Sequence, residues 1–118
     1  MIRTAAVATA IVAGLASPAV AQISAVEGNW ACTALIDSTK AGILTIYSGS
    51  YGYASANFGS AASGTGSATM YSDGIQFIDG NLLMGAGIEV GVLTFDTEGK
   101  DTLTLSTKEK PVLSCVPR

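Results

Sequence analysis

The sequence has 118 residues, six basic and nine acidic side chains and no histidine, for a net charge of −3. That length is one domain at most. Without a basic patch there is nothing to neutralise phosphates, which excludes nucleic acid as a partner, and the missing histidine removes the usual triad base, metal ligand and proton shuttle.

Met1-Ile2-Arg3 is a short cationic start, followed by an almost wholly apolar run over residues 4–16. Ser17-Pro18 breaks any helix there, and Ala19-Val20-Ala21 places small residues where a signal peptidase reads. The pattern predicts a signal peptide over residues 1–21, cut before Gln22. A retained anchor fits less well, because the run falls short of the ~18–20 residues a span needs and Pro18 interrupts its end. No cysteine follows the run, so no lipid anchor is expected. The expected mature domain is residues 22–118, periplasmic or secreted, with no membrane span after cleavage.

Residues 22–27 read as a short mobile lead-in. Beyond them, short β-rich stretches alternate with turn signals, and no sustained 3.6-residue apolar period appears. Strands are expected over residues 29–36, 43–48, 51–57, 67–71, 75–78, 82–84, 90–95, 102–107 and 112–116. The clearest alternation is over residues 102–107, with Leu103 and Leu105 on one face and Thr102, Thr104 and Ser106 on the other. Residues 58–67, rich in Ala, Gly and Ser, have little to bury and read as a loop or frayed hairpin. The glycines at 85, 87 and 91 read as bulges or bends within the sixth and seventh strands.

The two cysteines, Cys32 and Cys115, belong to the first and last of these strands. In an exported chain they are expected to pair. A bond between them brings the two end strands together and removes both open edges of a meander. The expected fold is therefore all-β: a small antiparallel up-and-down β-barrel of about eight strands, preceded by a signal peptide.

Gly28-Asn29-Trp30 resembles the Gly-x-Trp signature that opens the first strand of lipocalins and their calycin relatives. In that group a basic residue near the chain end packs over the tryptophan, which would make Arg118 the counterpart of Trp30 in barrel closure, by cation–π contact. Gly-x-Trp-x-Cys with a late Leu-x-Cys is more similar to small exported bacterial lipocalin-like domains, among them inhibitors of secreted metalloproteases. Those act through an N-terminal trunk, for which Gln22-Ile23-Ser24-Ala25 is the matching stretch. The resemblance implies a non-enzymatic binding module for a small hydrophobic ligand, or a protein-binding module such as a periplasmic protease inhibitor or an envelope-associated structural protein.

No nucleophile elbow or phosphate loop occurs, no carboxylate pair is placed for acid–base work, and nothing implies a cofactor. Asp96, Glu98 and Asp101 offer oxygens from one turn, but their spacing is not that of a calcium loop, and solvated turn acids are the simpler reading. Tyr47, Tyr51, Tyr53 and Phe58 cluster in sequence, with Tyr71 and Phe77 able to join them across strands. These six are the candidate lining of a small apolar cavity or its mouth, set against ordinary cross-strand packing in a barrel small enough for side chains to fill.

Overall fold

The computed structural model describes residues 25–118; the expected signal peptide and residues 22–24 lie outside the described residues. Eight strands follow in order: β1 (Gly28–Ala34), β2 (Lys40–Tyr47), β3 (Ser50–Ser55), β4 (Gly64–Tyr71), β5 (Gly74–Phe77), β6 (Val90–Phe95), β7 (Asp101–Ser106) and β8 (Pro111–Pro117). Each pairs antiparallel with the next, and β8 pairs back onto β1, so the sheet is a closed up-and-down barrel. One helical turn, α1 (Asn81–Met84), interrupts the link between β5 and β6.

The side-chain alternation decides inside from outside. Trp30, Cys32, Leu44, Ile46, Tyr51, Tyr53, Ile75, Phe77, Leu103, Leu105, Leu113 and Cys115 point inward and are buried. Thr45, Thr65, Gln76 and Thr94 point out and are exposed. A barrel that spans a membrane has the opposite alternation, apolar outside and polar within. No helix among the described residues is long and apolar enough to cross a membrane.

The seam pairs Cys32 directly with Cys115. Flanking bonds give its register: the Arg118 amide donates to the Asn29 carbonyl and the Leu35 amide donates to the Val112 carbonyl. Odd residues of β1 thus exchange bonds with even residues of β8. Cys32 and Cys115 therefore fall on a non-hydrogen-bonded pair, the position where facing Cα atoms come closest. Their Cα atoms are 3.9 Å apart and a disulfide joins them across 83 positions of sequence. The same parity points the backbone nitrogens of Pro111 and Pro117 toward β7 at the two ends of β8, where a missing N–H does least harm. A disulfide of this kind fits an oxidising, extracytoplasmic compartment.

The two ends of the barrel are built differently. One carries the β2–β3, β4–β5 and β6–β7 turns together with the entry to β1 and the exit from β8. This end is shut from inside: the Trp30 indole N–H donates to the Val26 carbonyl at 2.9 Å, and Val26 is wholly buried. The expected mobile lead-in therefore stops short of Val26. Glu27 is fixed as well, since its carboxylate accepts the Ser48 amide at 2.8 Å. The β2–β3 turn is Ser48-Gly49, both with positive φ (53° and 84°), as a tight hairpin of the primed type requires.

The other end carries the β1–β2, β3–β4 and β7–β8 links and the α1 segment. Here the sequence reading needs two corrections. Leu82-Leu83-Met84 is not a sixth strand but the helical turn α1, which reduces the count to eight strands. A three-residue apolar run is too short to reveal its period. The turn survives because Leu82 is wholly buried over the barrel interior. Residues 58–67 are not simply a solvated loop either. Strand β4 already starts at Gly64, and the small residues before it seat α1. The Asn81 side-chain amide donates to the Ser63 carbonyl at 2.6 Å, and a Cβ on Gly85 would lie 2.3 Å from the Ala61 carbonyl oxygen.

Candidate functional site

The six aromatic residues proposed from sequence separate into two groups. Tyr51, Tyr53 and Phe77 are inside the barrel. Tyr47, Tyr71 and Phe58 are outside, with Phe58 fully exposed in the β3–β4 link at the α1 end and the two tyrosines half or more exposed on the outer wall. Sequence proximity brought Tyr47 and Phe58 into the candidate set, but strand parity turns Tyr47 away from Tyr51 across the tight turn. The structure therefore does not gather the six around one cavity.

The two inward tyrosines of β3 are two residues apart and meet different fates. The Tyr51 ring packs edge-on against Phe77, with centroids 4.9 Å apart and planes at 75°. Its hydroxyl donates to the Asp79 carbonyl at 2.8 Å and accepts the Leu82 amide at 3.2 Å. Tyr51 thus ties the sheet to Leu82 of α1 and to Asp79 just before it, with one bond donated and one accepted. Burial pushes its phenol above the ordinary tyrosine value, opposed in part by the Leu82 and Leu83 amides.

Tyr53 is 6% exposed, yet its hydroxyl has no hydrogen-bond partner among the described residues. Burial alone pushes its phenol up. The ring lies across the backbone of Gly42 on β2: a Cβ there would be 2.7 Å from both the ring carbon bearing the hydroxyl and the hydroxyl oxygen. Tyr51 lies in the same way across Gly66 of β4, whose Cβ would sit 2.7 Å from the ring. The interior therefore spends two glycines to seat two rings, and only one ring satisfies its oxygen within the protein. An unpaired buried hydroxyl costs about 1–3 kcal/mol in protein contexts.

Tyr53 borders a pocket of about 320 Å³ at the α1 end. Polar and apolar residues both line it: Ala41 with Thr39, Lys40 and Tyr53, Ser60 with Ala62, and Leu82, Ile88 and Leu113 from α1, its exit and β8. Several wall hydroxyls are engaged: Thr39 donates to Asp37 at 2.7 Å, and Ser55 accepts the Asn57 amide at 3.1 Å. The Asp37 carboxyl is held below its usual value by the Thr39 hydroxyl and amide. Lys40 is the one charged residue on the pocket wall, and no acid shares that wall. Toward the Val26 end the interior is occupied by Leu44, Ile46, Ile75, Leu103, Leu105 and the disulfide, so the pocket is a cup rather than a channel.

Trp30 and Arg118 meet the seam at the closed end. Trp30 is buried and bonded to Val26. Arg118 contributes through its backbone bond to Asn29, while its side chain is exposed and borders an outer groove of about 560 Å³ with Ala31, Ile43, Ala54 and Val116. Asp96 is committed to its turn, its carboxylate accepting the amides of Glu98 and Lys100 at 2.9 and 2.8 Å.

The sequence pointed to Tyr53 but to neither Leu82, Ile88 nor Lys40. Leu82 sits in a segment read as strand, Ile88 between two such segments, and the lysine in a stretch read as a turn. A usable signal was present in the strand glycines, since Gly66, in register with Tyr51, and Gly42, one inward step from the Leu44 that faces Tyr53, mark where a ring crosses the backbone. No protein-family model, no curated protein and no solved structure matches the chain. The class defined by the fold is thus a closed eight-stranded antiparallel β-barrel with a disulfide seam and a cup at one end.

Proposed function

We propose that the chain is an exported, non-enzymatic binding module of lipocalin-like type that holds a small hydrophobic ligand in the cup under α1. The observation that carries this reading is the cup itself: one end of the interior is packed solid, and the other leaves about 320 Å³ against Leu82, Ile88 and Leu113. Ligand pockets run from about 300 to 1,000 Å³, so the ligand is small. The opening Gly28-x-Trp30 at the start of β1 and the closing of β8 onto β1 support the likeness to lipocalins. An inward face without charged residues offers no acid–base pair for chemistry.

The test is a thermal titration with hexanol and octanol. A ligand at a hundred times its Kd adds about 2.7 kcal/mol to the unfolding free energy. Ala86→Trp, at an exposed position on the cup wall, should abolish that gain while leaving the unliganded fold intact. A gain that persists in Ala86→Trp would place binding elsewhere. Tyrosine signals are the better reporter, because Trp30 lies at the closed end.

A second reading, a protein-facing module, is favoured by the outer groove beside Arg118, floored by Ala31, Ile43, Ala54 and Val116. If this module inhibits a protease through an N-terminal trunk, the free trunk ends at Ala25, because Val26 and Glu27 are built into the barrel. Deleting residues 22–25 should then abolish inhibition without lowering stability.

A further inference from the structure

We propose that the α1 end of the barrel is a docking face for a lipid bilayer, which takes the side chains of Ile36, Phe58 and Met84 into its interfacial region. This goes beyond the ligand-binding reading and does not depend on it.

Exposed apolar side chains carry the argument. Four links surround this end, and three of them present a large apolar residue to solvent. Ile36 in the β1–β2 turn is 90% exposed, Met84 on α1 is 78% exposed, and Phe58 in the β3–β4 link is wholly exposed. None of the three belongs to the core or packs against it. The fourth link, between β7 and β8, presents Lys108 and Lys110 instead. The two chemistries meet where β1 adjoins β8: Leu35, Ile36, Pro111 and Val112 line a surface groove of about 430 Å³ together with Lys110. An apolar tip beside an ammonium on a long aliphatic stem suits an interface, where hydrocarbon lies below and phosphate lies at the level of the charge.

The spacing of the tips favours a bilayer over a rigid partner. Ile36, Phe58 and Met84 stand on separate links around the mouth of the cup rather than in one patch. A rigid protein, or a second copy of this chain, would need a matching hole for each. A fluid interface receives each tip independently.

Charge decides which end docks. Among the described residues, three lysines stand against four acids at the α1 end, and two of those acids are engaged: Asp37 accepts the Thr39 hydroxyl and Asp79 the Ser67 amide. At the Val26 end only Lys100 and Arg118 stand against five acids. Tyr47, Tyr71 and Phe95 are also exposed, but they belong to that acidic end, which anionic headgroups repel.

Co-sedimentation with sucrose-loaded vesicles of phosphatidylcholine, with and without phosphatidylglycerol, tests this on the mature protein. The wild type should bind both at millimolar lipid. Phe58→Ser and Ile36→Ser should each weaken binding by about fivefold to tenfold, from the apolar area withdrawn from the interface. Tyr47→Ser and Phe95→Ser, at the opposite end, should leave it unchanged. Lys110→Glu should weaken binding to the phosphatidylglycerol vesicles more than to phosphatidylcholine alone. Phe58→Trp should show blue-shifted emission with vesicles and quenching by lipids brominated on the acyl chain, over the constant background of buried Trp30. Absence of vesicle binding by the wild type, or binding insensitive to Phe58→Ser and Ile36→Ser, overturns the proposal. A wild type that ignores vesicles and dimerises through Phe58 in sedimentation also overturns it, and assigns the face to a second copy. All the substituted side chains are exposed, so circular dichroism and melting temperature should match the wild type. The hexanol titration reads the cup separately: hexanol binding without vesicle binding overturns the docking face and leaves the ligand-binding reading in place.

Discussion

Reducing the disulfide should cost this barrel much of its stability, and the cost can be worked from where the bond sits. Cys32 and Cys115 are 83 positions apart and both are buried. Opening a loop of that length releases about 4.5 kcal/mol of chain entropy to the unfolded state on the loop-closure model. Small domains have about 5–15 kcal/mol in total, so the loss is a large share. Reduction is a cleaner perturbation than substitution, because both sulfurs stay in the core and no cavity opens. The assay is urea denaturation of oxidised protein against protein reduced in denaturant and refolded under reductant, with an intact mass two hydrogens higher confirming the thiol state. The melting temperature should fall by roughly 20–35 °C at about 4–8 °C per kcal/mol for a domain of this size. The urea m-value should rise, since the uncrosslinked unfolded chain exposes more surface. A difference below about 1 kcal/mol would refute the reasoning and show that strand pairing and core burial hold the β1–β8 seam unaided. A large loss with an unchanged m-value would move the effect from the unfolded chain to the native state.

Tyr51→Phe should cost about 1–3 kcal/mol, since it takes a donor from the Asp79 carbonyl and an acceptor from the Leu82 amide; hydrogen exchange should accelerate over residues 82–88 before it does so in β7. Gly66→Ala should cost about 1–3 kcal/mol by overpacking, because its Cβ would meet the Asp79 carbonyl oxygen at 2.4 Å and the Tyr51 ring at 2.7 Å; denaturant melts read this directly, and a neutral result would mean the ring moves freely. Both buried phenols have raised values, so the fold favours their neutral forms. Their contribution is complete below the unfolded tyrosine value of about 10 and is lost as pH rises through the higher folded values. Unfolding free energy should therefore decline above about pH 10, and Tyr53→Phe should remove part of that decline; a slope unaltered in the variant would assign it to other groups.

Barrel closure was legible because two scarce residues carried it. The positions of Cys32 and Cys115 in the end strands, with plain alternation in Trp30/Cys32 and Leu103/Leu105, were enough to place β1 beside β8. The mouth of the cup was not legible, for two physical reasons. Leu82-Leu83-Met84 is too short to display a helical period, and the turn is held by bonds to distant parts of the fold, from the Leu82 amide to the Tyr51 hydroxyl and from the Asn81 side chain to the Ser63 carbonyl. The small residues at 59–63 carry no apolar pattern, because their role is to let α1 approach closely, and closeness leaves no signature beyond small size. The aromatic set failed for a third reason: parity is invisible until the turn is fixed, and Ser48-Gly49 sends Tyr47 outward while Tyr51 and Tyr53 go in.

The pairing of β8 with β1 also has a consequence in time. Hairpins from β1 through β7 can zip one after another as the chain lengthens, each strand meeting a neighbour that already exists. The outer edge of β1 has no such neighbour until residue 117 has emerged. Until then the chain is an open ribbon, its future interior exposed and its cysteines apart. Placing the closing strand after all the others makes ring closure the last pairing the fold can complete, and a bond that forms where thiols are oxidised then locks it.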